Sequence, residues 1–162
     1  MHENVFDKLE FVRGIGMPRG KRLKLGDIYE IELPNGKKAY ARLFNECTLA
    51  IYTGVYNDYA EVPQEESYFR YVSAYKKVLT DGVWKVVGNR PFSNDDDAWA
   101  PPKVVVDAIT GKGRLYHKGE IKPCSFEECK NLEVVAVWDR NHIIDMLMGE
   151  NKWDDSIRKP IR

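Results

Sequence analysis

The sequence predicts an α+β protein with a mostly antiparallel, strongly bent sheet, short helices, and a last helix packed on that sheet. Three observations carry this. Short β-rich runs follow one another, separated by turn signals at Asn35-Gly36, Asp81-Gly82 and Thr110–Gly113. The two clearest helix starts, Ser125 with Glu128 and Asp139, come late in the chain. No regular strand–helix alternation runs between them, as a parallel sheet would require. The pattern is compatible with an open sheet or with a barrel-like, partly closed one.

The strongest local signal is the stretch GDIYEIELPNGKKAYARLF, Gly26 to Phe44. Asn-Gly suits a two-residue type I′ loop, because both residues tolerate positive φ. Strands are then expected over Asp27–Leu33 and Lys38–Phe44, with Pro34 and Lys37 flanking the loop. That register sets Ile31 opposite Tyr40, Tyr29 opposite Arg42 and Ile28 opposite Leu43, and offers a Tyr29–Arg42 cation–π contact. A lone hairpin is marginal in water, so further strands must cover it.

Ahead of the hairpin, residues 1–12 read as a short amphipathic helix or arm. Arg13–Leu25 reads as a basic loop that contains Gly14, Gly16 and Gly20. It is not a phosphate loop: the Gly16 to Gly20-Lys21 spacing is one residue short, and Arg22 stands where Ser or Thr would hold magnesium. Beyond the hairpin, Leu49–Tyr56 is a third strand, Asp58–Glu66 an acidic loop, and Glu65–Arg70 a single helical turn. Tyr71–Leu79 alternates loosely and ends at the Asp81-Gly82 turn signal, after which Trp84–Gly88 returns as another strand. Pro91–Pro102 is a long loop, and Lys103–Ile109 returns as Arg114–His117. The Ser125-Phe126-Glu127-Glu128 capping box starts a helix over 126–131. Val134–Trp138 is an apolar strand. Asp139 caps a helix over Arg140–Met148 that ends at Gly149, with Ile143, Ile144, Leu147 and Met148 on its buried stripe. The tail from Glu150 lies along the surface. The whole, residues 1–162, reads as one domain, with a core over 26–148, an arm over 1–25 and a tail over 150–162.

Composition narrows the function. The chain has 162 residues, 43% hydrophobic and 31% charged, as a soluble globular protein needs. Basic and acidic residues are equal in number at 25 each, whereas a nucleic-acid binder normally carries a basic surplus. Nucleic acid is therefore an unlikely partner. No apolar run approaches the ~18 residues of a membrane span, and the acidic N-terminus does not resemble a signal peptide, which points to the cytoplasm and away from membranes. Three cysteines are too few for a disulfide scaffold. Cys124 and Cys129 lack the spacing and the second pair of a zinc site, so no metal and no cofactor is expected. Cys47 follows Glu46, whose charge opposes thiolate formation. No nucleophile motif is present, so no enzymatic activity is expected.

The order of short signatures carries one more reading. GDIYEIELPNGKKAYARLF, IYTGVYNDY, GVWKVVGNRPF, VVDAITGKGRLY and FEECKNLEVVAVWDRNHIIDML succeed one another along the chain. Their marks are Gly26-Asp27, Trp84 with Gly88 and Pro91, Asp107 with Gly111-Lys112, and Trp138-Asp139. In this order the chain resembles the immunity protein 26 family of bacterial polymorphic toxin systems, from about Gly26 to about Met148. The resemblance implies a small cytoplasmic α+β protein that binds a cognate toxin and neutralises it in the producing cell. The alternative is a nucleic-acid or small-ligand module on the bent sheet.

A contact surface is suggested by SNDDDAW, residues 93–99. Asp95, Asp96 and Asp97 would steer a basic toxin, and Trp99 would anchor it. Pro91, Pro101 and Pro102 restrict the loop and reduce the entropy lost on docking. The competing expectation is a solvated acidic loop with Trp99 folded back on the core.

Overall fold

In a computed structural model of the chain, which describes residues 22–56 and 62–162, the central hairpin forms one residue out of the expected register. Strands β1 (Asp27–Glu32) and β2 (Lys38–Phe44) pair with Ile28 opposite Arg42, Tyr29 opposite Ala41, Glu30 opposite Tyr40 and Ile31 opposite Ala39. The cause is Pro34. A two-residue loop would need a proton on the Pro34 nitrogen to bond Lys37, and proline has none. The Leu33 N–H donates to the Lys37 carbonyl instead (2.9 Å), and the Gly36 N–H donates to the Leu33 carbonyl (3.0 Å). Pro34-Asn35-Gly36 is thus a three-residue loop, with Gly36 at φ 81° in its left-handed position. A slip of one residue changes which side chains share a face. Tyr29, Ile31, Leu33, Ala39, Ala41 and Leu43 all enter the main core. Arg42 lies on the other face, so it cannot meet Tyr29; its guanidinium stacks over Phe92, 3.8 Å from the ring centroid.

The fold is α+β with mostly antiparallel sheets. β3 (Thr48–Tyr52), β4 (Tyr68–Ala74), β5 (Lys85–Asn89) and β9 (Val137–Trp138) extend the hairpin into a six-stranded sheet in the order β5-β1-β2-β3-β4-β9. Only the β4–β9 pair is parallel. The sheet ends on β5 and β9 and does not close into a barrel. Two local expectations fail around β4. Residues 68–70 are strand rather than helical turn, and the run after Ala74 is helix α1 (Lys76–Thr80) rather than strand. Val78 and Leu79, adjacent in sequence, are both buried there; so short an apolar pair fits either structure, and the tertiary contacts decide.

A second, three-stranded sheet is formed by β6 (Lys103–Val106), β7 (Gly113–His117) and β8 (Glu120–Pro123). β8 has no counterpart in the sequence reading. Its four residues are all exposed, so no apolar alternation marks it. Its turn is the missed signal: Lys118-Gly119 has φ of 51° and 80°, the type I′ pattern.

The helices start where their caps predict. Ser125 and Glu128 form the reciprocal capping box of α2 (Phe126–Cys129). The Asp139 carboxylate accepts the Arg140 N–H (2.8 Å) at the head of α3 (Arg140–Leu147), and Gly149 follows at φ 84°. Ile143 and Met146 are the buried residues of α3, with Ile144 and Leu147 packed beside them. Met148 is exposed, so Met146 takes the place on the stripe expected of Met148. Trp138 is fully buried, beneath the Arg70 guanidinium (4.8 Å) and edge-on to Trp153 (6.3 Å). The tail adds α4 (Lys152–Ser156). Arg70, itself paired with Glu133 (2.7 Å), ties α4 down through Asp154 (2.9 Å), and the Ile161 N–H donates to the Gly111 carbonyl (2.9 Å). The expected N-terminal helix or arm and most of the basic loop lie outside the described residues, as does part of the acidic loop. No helix among the described residues is long and apolar enough to cross a membrane.

Candidate functional site

The face of the large sheet turned away from α3 is the more polar one, and a groove of about 700 Å³ lies against it. β2 contributes Arg42 and Phe44, and β4 contributes Tyr68 and Tyr71. In a regular strand residues three apart point to opposite faces. Here the β3–β4 register shifts at Ile51/Tyr52, and this irregularity brings both tyrosines to the groove. The chain leaving β5 supplies Arg90, Pro91 and Phe92, then Asp96, Asp97 and Trp99; the end of β7 supplies His117 and the β7–β8 turn Lys118. The floor is an aromatic cluster. Phe44 meets Phe92 at 4.8 Å and Tyr71 at 5.6 Å between centroids, and Tyr68 meets Tyr71 at 5.6 Å.

One arginine fastens the groove wall to its floor. Arg42 Nε donates to the Arg90 carbonyl (3.0 Å), and Nη2 to the Arg90 (2.5 Å) and Pro91 (3.1 Å) carbonyls. Its Nη1 reaches Glu66 (3.4 Å) and the Tyr68 hydroxyl (3.3 Å). All five guanidinium protons therefore have acceptors. Glu66 is the acidic hub: it accepts from the Tyr52 and Tyr68 hydroxyls and from Arg90 Nη1 (2.8 Å). Burial works to raise the Glu66 carboxyl, but hydrogen bonds from Tyr68, Arg90 and Tyr52 and the Arg42 charge outweigh it and hold the group below its ordinary value of 4.5. Burial, with the neighbouring carboxylate, pushes the Tyr68 phenol up.

The lowered value sets a pH dependence. Glu66 contributes stability that is complete above 4.5 and is lost as pH falls through the lower folded-state value. Glu66→Gln removes that contribution, so the gap in urea midpoint between parent and variant should be wide at pH 7 and close as pH falls below 4.5 and through the lower folded-state value. A gap that stays constant across this range would show that the carboxylate is not favoured by the fold.

The predicted contact residues divide. Asp96–Ala98 forms a single 3-10 turn. Its Ala98 carbonyl accepts from the Asn45 N–H (2.9 Å) and the Asn45 side-chain amide (3.2 Å), which pins the loop to the β2–β3 turn. Asp96, Asp97 and Trp99 line the groove, while Asp95 stands outside it on the turn. Asp96 pairs with Lys118 (2.8 Å), and Asp97 accepts from the Asn94 amide (3.0 Å). Trp99 is half-buried, neither folded wholly into the core nor free in solvent. Arg42, Glu66, Arg90 and the floor aromatics were not foreseen. Their one legible signal is Arg42, a charge inside the otherwise apolar strand AYARLF.

Behind Trp99 is a second, minute cavity of about 10 Å³, room for a single water, lined in part by Glu46, Lys103 and Tyr116. Lys103 Nζ donates to Ser73 Oγ at 2.7 Å, the contact expected of a serine–lysine nucleophile pair. Ser73 is only 4% exposed and does not line the cavity, so no acyl substrate can reach it in this conformation. Burial lowers the Lys103 pKa, against the opposing charges of Glu46 and Glu133. The cysteines are free. Burial is the main cause that raises the Cys47 thiol, with Glu46 adding to it against Lys76; burial and the adjacent Cys129 thiol push Cys124 up to about 11. Among the described residues no three His, Cys, Asp or Glu side chains converge as a metal site.

No family model, no curated protein and no solved structure matches this chain.

Proposed function

We propose that the chain is a protein-binding inhibitor, an immunity protein of the kind its sequence resembles, and that the groove beside Trp99 receives the cognate toxin inside the producing cell. One observation supports this above the rest: an open, pre-shaped groove with an aromatic floor and a half-buried tryptophan on a braced rim. Aromatic residues and arginine dominate the energetics of protein interfaces. The rim is held by Arg42 on the Arg90 and Pro91 carbonyls and by Asn45 on the Ala98 carbonyl. A surface ordered before docking loses less entropy when it binds. The inhibitor acts by occupying the toxin rather than by chemistry. A phosphate-binding role fits less well, because Arg42, the most enclosed cation of the groove, has already committed its donors.

The test is co-expression with the open reading frame encoded beside this one. Growth should stop with that neighbour alone and resume when this chain is present, and the two should co-purify as a stoichiometric complex. Growth arrest that persists, with no complex on size-exclusion chromatography, rejects the reading.

A further inference from the structure

The charges around the groove do not balance within the molecule. Arg42 and Arg90 are engaged by Glu66 and main-chain carbonyls. On the loop that bears Trp99, Asp96 and Asp97 line the groove with Asp95 just outside it, and the described residues supply the three one cation, Lys118, 2.8 Å from Asp96. No described residue forms an ion pair with Asp95 or Asp97, and Asp97 takes only the neutral amide of Asn94. The net charge of this rim is negative, and the adjoining surface is aromatic. That combination suits a lysine or arginine side chain whose stem lies on Trp99 and whose head meets the carboxylates.

Lys118 already places an ammonium on one of these carboxylates. It comes from a different sheet and is 22 residues from Asp96 in sequence. Its own position does not call for lysine. It is the first residue of a type I′ turn, at φ 51°, where asparagine is the favoured choice and lysine is strained. The residue is thus chosen against the local backbone preference, and its ammonium is the part that finds a partner. The pair is also easily opened: the side chains are 37% and 85% exposed, and exposed ion pairs contribute little.

We propose that Lys118 is an internal stand-in for a cationic side chain of the partner protein: a basic loop of the toxin enters the groove, replaces Lys118 on Asp96, and the Lys118–Asp96 pair holds that position until it arrives. This rests on the inhibitor reading above and names both the chemistry of the partner segment and a self-competition that sets its affinity.

The test uses the protein with a capped hexa-arginine peptide as probe, followed by amide and indole NMR shifts at low salt. Lys118→Asn keeps a residue that suits the turn while removing the competitor. Lys122→Ala, on the same hairpin, removes an equal charge that pairs with Glu120 rather than with the rim. The expected result is peptide-induced shifts at residues 95–99 and the Trp99 indole. Lys118→Asn should bind about threefold tighter than the parent, the scale of an exposed ion pair, and Lys122→Ala less than half as much tighter. In an Asp96→Asn background, Lys118→Asn should gain no more than Lys122→Ala does. Equal gains from the Lys118 and Lys122 variants in the parent background, shifts centred elsewhere, or no binding would overturn the proposal. Because the probe is not the toxin, the two readings fail separately. Loss of neutralisation with peptide binding intact rejects the immunity role, and neutralisation without peptide binding rejects the stand-in.

Discussion

Gly26→Ala is expected to cost about 2–4 kcal/mol of stability and lower the melting temperature by roughly 10 °C. Gly26 has φ 88°, a conformation that side chains rarely adopt, and an added Cβ would lie 2.3 Å from the Arg90 carbonyl oxygen. That oxygen belongs to backbone and cannot swing aside. The two segments are joined there, because the Arg90 N–H donates to the Gly26 carbonyl (2.9 Å). The same Arg90 carbonyl also accepts from Arg42, so the displacement reaches the groove. Gly36→Ala is the matched control. Its φ is 81°, but nothing lies within 4 Å of the added Cβ, so only backbone strain of about 1 kcal/mol remains. Chemical denaturation of both variants separates the terms. Equal losses would mean that the Gly26–Arg90 approach carries no cost of its own.

This glycine also shows what was legible in the chain. The Gly26-Asp27 pair stood out at the opening of the first strand, but its reason, a contact with Arg90, spans 64 residues. Signals complete within a few residues read correctly: the Ser125–Glu128 box, the Asp139 cap and the Gly149 stop each form as their chemistry dictates. The hairpin was legible in place but not in register. Asn-Gly argued for two loop residues, and the missing proton of Pro34 overruled it. β8 was hidden because an exposed strand with no buried face leaves no period-two pattern. The groove was half legible. Its acidic turn and Trp99 announced themselves by composition between prolines. Its floor did not, because Tyr68 and Tyr71 share a face only through a shift in the β3–β4 register, and Arg42, Glu66 and Arg90 meet over separations of 24 to 48 residues.

Trp99→Ala is expected to weaken the complex with the cognate toxin by about 30-fold or more, almost wholly through faster dissociation. The indole lines both the groove and the small cavity over Lys103 and Tyr116, so part of it is fixed from behind while the rest faces the groove. An anchor held in this way loses little side-chain freedom on binding. Truncation removes the contact and also loosens the wall, so Trp99→Phe belongs beside it: a ring that still fills the wall should recover most of the affinity, whereas a purely polar role for the indole N–H would not be rescued. The aspartates act on the other rate. Asp95→Ala and Asp97→Ala should each slow association and flatten its salt dependence, because they remove charge that steers a basic partner. Asp96→Ala should slow it by a similar amount, since each variant removes one unit of negative charge and Asp96 differs only in having Lys118 beside it. Stopped-flow association at two salt concentrations, with dissociation by competition, separates these effects. Should all these variants bind like the parent while remaining folded, the toxin is held elsewhere on the sheet and the groove is not its site.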